Sequence, residues 1–330
     1  MTRKSQLVEV PVKPEGESLR RLRMIVRTAL MYHRHGLSQA EVAKQLGLSQ
    51  ARVSQLLKAA EQQRIAETVV HVPPGMFSDL EDELQRAYGL DEVVVVDTGP
   101  DQSDPKRALG VSAAPFLQLA LEGTKVIGIT AWSQTLHAAV EVMKPLAPVP
   151  GRLVVNVFGG FGPSTSTGYS QLMQRLAQLC AARPVFLLGP GIVASSKLRD
   201  ALKREQQVRD VVSFYDRLSI LVVSIGALGY GVQNEAPEYV SIEDQEELHE
   251  KGAIGDVALH FFDAHGRPVS SSLDERVLGI SADQLKRAPR VLAIAGGKKK
   301  VEVIRAALRG RWVNSLITDL TAAQQLLKSP

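Results

Sequence analysis

Apolar positions near the amino terminus recur every three or four residues, which is the period of a helix with one buried face. From Ser18 onward this spacing predicts a helix. The positions that define its apolar face are Leu19, Leu22, Ile25, Val26, Ala29 and Leu30. Residues 1–17 are polar and include three proline or glycine residues, so they are predicted to form a loose arm.

Two shorter helices are predicted next from their capping residues. Ser38 stands three residues before Glu41, which is the spacing of a capping box, and it predicts a helix over Gln39–Leu46. Gly47 ends that helix, and a third helix over 49–62 follows. A β-rich stretch, Ile65–Val72, is then expected before the proline pair that follows it.

Beyond Pro73-Pro74-Gly75, continuous apolar runs alternate with helical segments. The strand-like runs are Glu92–Val96, Lys125–Thr130, Leu153–Phe158, Val185–Leu188, Ser219–Ile225, Val257–Phe262, Arg290–Ala295 and Val313–Thr318. The helical segments include Lys106–Leu121, Gln134–Met143, Tyr169–Ala182, Gln207–Tyr215 and Lys299–Leu308. Such alternation is typical of a parallel sheet covered on both faces. The sequence therefore predicts a small all-α domain over 18–72 and a larger, open, Rossmann-like α/β domain over 73–330.

Charge is distributed unevenly between these two parts. Residues 1–72 contain 12 Lys and Arg against 6 Asp and Glu, whereas residues 73–330 contain 27 against 29. A basic module attached to a neutral domain is typical of nucleic-acid binding. On charge alone, a solvated basic tail remains open.

Other features exclude several classes of protein. No apolar run has the length of a membrane span or a signal peptide, so a cytoplasmic protein without membrane contact is expected. Cys180 is the only cysteine, which excludes an intrachain disulfide and a cysteine-based zinc cluster. Cys180 is interpreted as a helix packing residue, and neither a cofactor nor a metal site is predicted.

The second and third helices have the spacing of a helix-turn-helix. Ala43 is small where the helices touch, Gly47 suits the turn, and Leu48, Val53 and Leu56 fill the shared core. An ordinary helical hairpin would not require this combination. The third helix would then present arginine and glutamine to base edges, and serine and lysine to phosphates. The predicted DNA-binding residues are Ser38, Gln39, Ser49, Gln50, Ala51, Arg52, Ser54, Gln55 and Lys58.

Two glycine-containing turns of the larger domain have the pattern of anion sites. Residues 128–135 and 295–300 each follow a strand and open a helix, where backbone N–H groups converge. Each turn alone is a weak signal, because similar turns serve packing in many α/β sheets. Together with residues 159–162 and 224–229, they would line the carboxyl edge of one sheet, where open α/β folds bind ligands.

From Ser18 onward, the chain resembles the SorC family of sugar-responsive transcription regulators. The matching stretches are Val53–Ala60, Gly128–Leu136, Gly159–Gly162, Gly252–Asp256, Leu273–Ser281, Ala295–Gly297 with Lys300, and Asn314–Asp319. The resemblance implies an effector domain similar in fold to sugar-phosphate isomerases and glucosamine-phosphate deaminases. It also implies a phosphorylated sugar or polyol as effector, and assembly into dimers or tetramers on double-stranded operator DNA.

The resemblance also implies a role for individual residues. The phosphate would lie against Thr130, Ser133, Gln134 and Thr135, with Lys300 supplying a positive charge and Asp256 facing ligand hydroxyls. The full predicted effector-binding set is Thr130, Trp132, Ser133, Gln134, Thr135, Gly159, Gly160, Gly162, Gly226, Asp256 and Lys300. The chain departs from the family at Ser133, where glycine is usual. Lys300 as a surface lysine, Asp256 as a hydrogen-bonding residue at a strand start and Trp132 as a core residue remain open.

Two other functions compete with a ligand-controlled regulator. A sugar-phosphate isomerase or deaminase would use an acid or base such as Asp256, His260 or His137. However, an enzyme has no use for a DNA-reading helix, and no carboxylates and histidines cluster in the sequence. The chain is therefore not expected to be an enzyme. A constitutive DNA binder, whose larger domain only oligomerises, also remains open.

Overall fold

The computed structural model describes residues 16–66, 75–99, 104–160, 162–228 and 240–328. By their contacts, the residues of the chain divide into two compact units, Met1–His71 and Val72–Pro330. The described part of the first unit is helical. The described part of the second contains two β-sheets with helices packed against them.

The first unit consists of helices whose ends follow the capping residues. These are α1 (Gly16–Ala29), a π-helical turn (Leu30–Arg34), α2 (Gln39–Leu46) and α3 (Gln50–Gln62). The Ser38 hydroxyl accepts from the N–H of Glu41, whose carboxylate accepts from the N–H of Ser38 at 2.8 Å, so the capping box is confirmed. Gly47 adopts φ +66°, which ends α2 without the strain that a side chain would cause. Helix α1 begins before Ser18, so the predicted arm was too long; residues 1–15 lie outside the described residues.

The helices of the first unit share two adjoining apolar clusters. The buried members are Ile25, Ala29, Met31, Val42, Ala43, Val53, Leu56, Leu57 and Ala60. The inward face predicted for the third helix is therefore confirmed. Leu19, which was predicted to face inward, is 38% exposed. Ile65 and Ala66 form bends and not the predicted strand, and residues 67–72 of that stretch lie outside the described residues.

The second unit combines ten described strands with ten described helices. The strands are β1 (Glu92–Val96), β2 (Val126–Ile129), β3 (Leu153–Asn156), β4 (Arg183–Val185), β5 (Ile220–Val223), β6 (Ile225–Ala227), β7 (Gly255–Val257), β8 (His260–Phe262), β9 (Val291–Ile294) and β10 (Ser315–Asp319). The helices are α4 (Ser78–Tyr88), α5 (Pro105–Leu121), α6 (Gln134–Val142), α7 (Gly162–Leu179), α8 (Ser196–Arg204), α9 (Gln206–Val212), α10 (Ile242–Glu250), α11 (Ala282–Arg287), α12 (Val301–Arg309) and α13 (Leu320–Leu327). Short 3₁₀ turns occupy Tyr215–Arg217 and Lys298–Lys300.

Seven strands form one parallel sheet in the order β1-β10-β9-β5-β2-β3-β4, and β6, β7 and β8 form a small antiparallel sheet. Helices α5, α6 and α7 pack on one face of the large sheet, and α4, α9, α12 and α13 pack on the other. From β2 the chain continues outward to β3 and β4, whereas from β5 it continues in the opposite direction to β9 and β10. The chain therefore reverses direction between β2 and β5. The predicted open α/β fold is confirmed.

Three of the predicted strands differ in their limits. The apolar run 257–262 is two antiparallel strands, because Ala258 (φ +53°) and Leu259 (φ +61°) form a tight turn between them. Both turn residues are buried and apolar, so their hydropathy gave no sign of a turn. The run 219–225 also ends early, because Ile225 leaves the large sheet and begins β6. Strand β4 covers Arg183–Val185 and precedes most of the predicted 185–188.

Candidate functional site

The outer surface of α3 presents a row of polar side chains. Its predicted outward residues, Gln50, Ala51, Arg52, Ser54, Gln55 and Lys58, are all exposed. The opposite side of the same helix is buried in the core of the unit. Helix α3 therefore has the polar, basic outer face that a recognition helix requires in the major groove.

Hydrogen bonds fix several of the predicted DNA-binding side chains. The Arg52 guanidinium donates to Oε1 of Gln55 at 3.1 Å, so these two residues present one joint surface. The Ser49 hydroxyl caps α3 by accepting from the N–H of Arg52 at 3.2 Å. Ser38 caps α2 in the same way, and Gln39 beside it is half-buried. Helix amino termini attract phosphate groups, and the two caps therefore lie at positions that suit the DNA backbone.

In the second unit, the reversal between β2 and β5 lies beside the predicted phosphate loop. Thr130 follows β2 directly, and its N–H donates to the carbonyl of Val222 on β5 at 3.1 Å. Its hydroxyl is buried and has no hydrogen-bond partner among the described residues. A buried hydroxyl without a partner costs about 1–3 kcal/mol, so a ligand that supplied a partner would recover that cost.

The loop from Thr130 to α6 is fixed by contacts of its own side chains. The Ser133 hydroxyl caps α6 by accepting from the N–H of Leu136 at 3.2 Å. Oε1 of Gln134 accepts from Nζ of Lys106 on α5 at 2.9 Å. The Trp132 ring lies edge-on to Phe158, with their centroids 4.8 Å apart, which identifies Trp132 as part of an apolar cluster. Thr135 is half-buried in the first turn of α6.

A carboxylate and a lysine meet at the small sheet. Gly226 on β6 pairs with Asp256 on β7, and a Cβ at Gly226 would lie 2.0 Å from Oδ1 of Asp256. Glycine is therefore required at this position to leave room for the carboxylate. Nζ of Lys300 donates to the carbonyl of Ile225 at 2.8 Å, and Oδ2 of Asp256 accepts from the N–H of Leu259 at 3.0 Å. Three predicted residues distant in sequence are thus neighbours.

Asp256 is 7% exposed, and this burial raises the pKa of its carboxyl from the ordinary 3.8 to about 6. The hydrogen bond from Leu259 and the charge of Lys300 act in the opposite direction but do not offset the desolvation. Ligand hydroxyls that donate hydrogen bonds to such a buried carboxylate would stabilise its charged form.

The glycines at 159 and 160 lie in a tightly packed segment. The N–H of Gly159 donates to Leu278 at 3.0 Å and that of Gly160 donates to Gly189 at 2.8 Å. A Cβ at Gly159 would lie 2.7 Å from backbone atoms of Gly191. Gly159 therefore permits the close approach of two backbone segments, and the N–H groups of both glycines are already bonded. Gly162, the third predicted glycine of this group, begins α7.

The turn at 296–297 is also occupied within the chain. The carboxylate of Asp319 accepts from the N–H of Gly297, and a Cβ at Gly296 would lie 2.1 Å from Oδ2 of Asp319. The second predicted anion loop therefore already binds a carboxylate of the chain itself. Lys300 is the residue of this loop whose charge acts on the Asp256 carboxyl. The sequence reasoning missed both Asp319 and Lys106. Asp319 had a signal, because an aspartate between a strand and a helix is a typical N-cap.

In the described part of the chain, two cavities adjoin the outer side of α6. Their volumes are about 240 Å³ and 340 Å³, and His137 and Glu141 line both. Of the predicted effector-binding residues, only Gln134 lines either cavity. Residues 229–239, which follow β6 beside Asp256, lie outside the described residues, including Gly229 of the predicted loop 224–229.

Comparison with family models matches both units of the chain. The sugar-binding domain family Sugar-bind matches residues 73–328, and sigma-70 region 4, a helix-turn-helix region, matches residues 20–63. The candidate effector residues and the α3 surface fall within these two ranges. Within the described ranges, we find no helix that has both the length and the apolarity of a membrane span.

Relatives of known role match almost the whole chain. The transcriptional regulator LsrR of Klebsiella pneumoniae subsp. pneumoniae is 30% identical over 320 residues, which cover 94% of this chain and 95% of that protein. The deoxyribonucleoside regulator of Bacillus subtilis is 27% identical, with coverage of 92% and 96%. The crystal structure of the full-length sorbitol operon regulator SorC from Klebsiella pneumoniae superposes with a TM-score of 0.68 at 25% identity, covering 93% of this chain and 99% of that one.

All three relatives are named as regulators, which confirms the expectation that this chain is not an enzyme. The helix-turn-helix, the parallel α/β domain and the two family matches agree in the same order along the sequence. The chain belongs to the SorC family of sugar-binding transcriptional regulators.

Proposed function

We propose that residues 18–72 bind operator DNA, that residues 73–330 bind a phosphorylated sugar or polyol, and that this effector changes the affinity for the operator. The regulated genes would then be those of a carbohydrate catabolic operon, and the protein would act in the cytoplasm. The observation that carries the proposal is the buried, unpartnered hydroxyl of Thr130 at the point where the sheet reverses direction.

The phosphate of the effector would lie at the amino terminus of α6. The first N–H groups of a helix have no partner within it, and they favour an anion together with the helix dipole. Ser133 and Thr135 add hydroxyls to this turn, and Lys106 adds a positive charge through its contact with Gln134. Ser133 replaces the usual glycine, and its side chain, which caps α6, would contribute to the selection among sugar phosphates.

The sugar hydroxyls would face the small sheet. The Asp256 carboxylate accepts hydrogen bonds only, whereas a sugar hydroxyl can donate one, so the two are complementary. Lys300 lies next to this carboxylate through its bond to Ile225 and can contact a phosphate or a hydroxyl. The named relatives include a sorbitol operon regulator and a deoxyribonucleoside regulator, which supports a polyol or sugar skeleton as the ligand class.

The effector would act through the assembly of subunits. A single helix-turn-helix reads only a few base pairs, so specific binding requires at least two copies on paired half-sites, as a dimer or tetramer. A ligand can shift DNA affinity only as far as it prefers one assembly over another, typically by about 1–3 kcal/mol.

The test compares Thr135→Ala and Lys300→Ala with the wild type. Phosphorylated sugars and polyols are first screened for a rise in melting temperature of the wild type, since a ligand of the native state stabilises it by mass action. Operator binding is then titrated with the best ligand. Both variants should bind operator DNA as the wild type does, but should lose the response to the ligand.

Thr124→Ala is a control that should retain the response, because Thr124 precedes the amino end of β2 and so lies at the opposite edge of the sheet from the phosphate loop. If Thr135→Ala and Lys300→Ala respond at wild-type ligand concentrations, the effector site lies elsewhere. If no ligand changes operator binding of the wild type, the domain only oligomerises and the protein is a constitutive DNA binder.

A further inference from the structure

Helix α5 contains a long stretch without charge. The 14 residues from Ala108 to Leu121 include no Asp, Glu, Lys or Arg. At 1.5 Å per residue, this stretch is about 21 Å long. A helix that is uncharged on all sides is normally surrounded by protein.

One side of α5 is nevertheless exposed to solvent. Its inner side packs on the large sheet and on α6, with residues such as Ala113 and Leu117 fully buried. On the outer side, Val111 is 40% exposed, Phe116 is 39% exposed and Leu119 is 65% exposed. Val111 and Leu119 lie with Pro115 on one line, at intervals of four residues. The outward stripe is here defined as Val111, Pro115, Phe116 and Leu119.

We propose that the outward stripe is a two-fold interface with the α5 helix of a second copy of this chain. Charged residues stand only at the ends of the uncharged stretch, with Arg107 before it and Glu122 after it. If two copies of α5 pair antiparallel about the point between Ala114 and Pro115, Arg107 of each copy lies opposite Glu122 of the other. An apolar centre bounded by complementary charges is the usual anatomy of a protein interface.

Both terminal charges are exposed, and in the proposed pair Arg107 would contact Glu122 of the other copy in addition to its ion pair within its own chain. The Arg107 side chain is 60% exposed and its guanidinium contacts Glu141 of α6 at 3.1 Å, which orients it across the outer surface. Glu122 is exposed at the carboxyl end of α5. A second copy is the occupant that a two-fold self-complementary stripe fits, because an isologous interface uses the same patch twice. It is also the partner that a helix-turn-helix needs for paired half-sites.

The inner side of α5 connects this interface to the candidate phosphate loop. A Cβ at Gly110 would lie 2.3 Å from the carbonyl oxygen of Thr135, so α5 and the first turn of α6 are in close backbone contact. Lys106 adds its bond to Gln134. An effector that ordered that loop would therefore change the position of α5 and so the interface. This coupling rests on the proposed function, whereas the interface itself does not.

The first experiment measures molar mass by light scattering, without ligand or DNA, for the full chain. Leu119→Glu places a charge at the centre of each half of the interface, and the mass should fall to half that of the wild type. Ile242→Glu is the matched control, because Ile242 is 71% exposed on α10, outside the outward stripe. Its mass should equal that of the wild type. A melting curve for each variant verifies that it is folded.

The second experiment reverses the terminal charges. Arg107→Glu and Glu122→Arg should each raise the dissociation constant of the assembly by about threefold to tenfold, since each replaces two symmetric exposed pairs with repulsion. The double variant should recover most of the loss, because the charges across the interface are then exchanged but remain complementary, whereas the ion pair with Glu141 is not restored. A merely local effect on folding would not be reversed in this way.

The proposal is overturned if the wild type is a monomer at about 50 μM, a concentration at which a dimer with a dissociation constant of a few micromolar would be assembled. It is also overturned if Leu119→Glu assembles as the Ile242→Glu control does, or if the double charge reversal is weaker than both single variants. The thermal shift with a sugar phosphate reports on the effector site independently. A variant that loses assembly but keeps that shift separates the two proposals.

Discussion

At the scale of single residues, the candidate effector site contains groups that the protein holds at a cost to its own stability. The Thr130 hydroxyl is buried without a partner, and the carboxylate of Asp256 is buried against Gly226. An apolar side chain of the size of Thr130 would leave no hydroxyl unpaired, and the one hydrogen bond from Leu259 does not offset the burial of the Asp256 carboxylate. Groups of this kind are characteristic of binding sites, where activity competes with stability.

We expect Asp256→Asn to stabilise the ligand-free protein at pH 7 by about 1–3 kcal/mol. Because the pKa of Asp256 is raised to about 6, the folded state holds this proton more tightly than the unfolded state. The stability contributed by the protonated carboxyl is therefore present below pH 3.8 and lost as the pH rises to 6. The variant does not titrate there, so the difference in unfolding free energy should vanish near pH 4.

Denaturant unfolding of the two proteins between pH 4 and pH 8 measures this difference. Asp91→Asn serves as the control, since Asp91 is exposed directly before β1. A difference between wild type and Asp256→Asn that stays constant with pH would contradict the assignment. The variant should also bind a sugar phosphate more weakly, despite its greater stability.

The side chains of α3 lead to a second residue-scale prediction. Arg52→Ala or Gln55→Ala should weaken operator binding by about 1–3 kcal/mol and relax the sequence preference, if these residues contact base edges. Lys58→Ala should instead weaken operator and unrelated DNA alike, and should reduce the salt dependence of binding by about one unit of slope. Glu61→Ala, exposed one turn further along α3, is the control. Equal losses on both DNAs for Arg52→Ala would exclude it from base reading.

At the scale of elements, two glycines show how local conformation and packing impose different demands. Gly47 has φ +66° with no atom within 4 Å of a built Cβ, so only its backbone conformation requires glycine. Gly110 has ordinary helical geometry, but its Cα lies against the backbone of α6. In an isolated helix, alanine would be the better residue at position 110 by about 1 kcal/mol.

We therefore expect helix propensity and packing to predict opposite effects of alanine at position 110. Gly47→Ala should cost about 1–2 kcal/mol of unfolding free energy, because alanine is strained at positive φ. Gly110→Ala should cost about 3 kcal/mol or more despite its higher helix propensity, because the added methyl group meets the carbonyl of Thr135. Thermal or denaturant unfolding measures both. If Gly110→Ala were neutral, the close contact between α5 and α6 would be absent in solution.

The elements also show where sequence reasoning is limited. The capping residues Ser38 and Ser49 located α2 and α3 because a cap is a local interaction within four residues. The hairpin between β7 and β8 was missed because Ala258 and Leu259 carry no turn signal. Their positive φ angles are imposed by the pairing of the flanking strands, which local propensity does not include.

At the scale of the whole molecule, the helix-turn-helix and the proposed interface between two copies together predict symmetric operators. Selection from a random pool of double-stranded DNA should enrich inverted repeats, with half-site centres about 10–10.5 base pairs or a multiple of this apart. Inserting five base pairs between the half-sites should weaken binding strongly, since it rotates one half-site to the opposite face of the duplex. Single, unpaired sites from the selection would contradict binding as an oligomer.

Local periodicity, capping and the order of motifs were sufficient to predict the alternation of helices and strands, the parallel α/β class and the family. The sequence by itself also identified Thr130, Asp256 and Lys300 as candidates, through resemblance. Only the tertiary structure decided which candidates meet. It brought Lys300 next to Asp256, and it showed that Asp319 already fills the turn at Gly297. Such contacts join residues far apart in the chain, and they depend on strand order and burial, which no local pattern encodes.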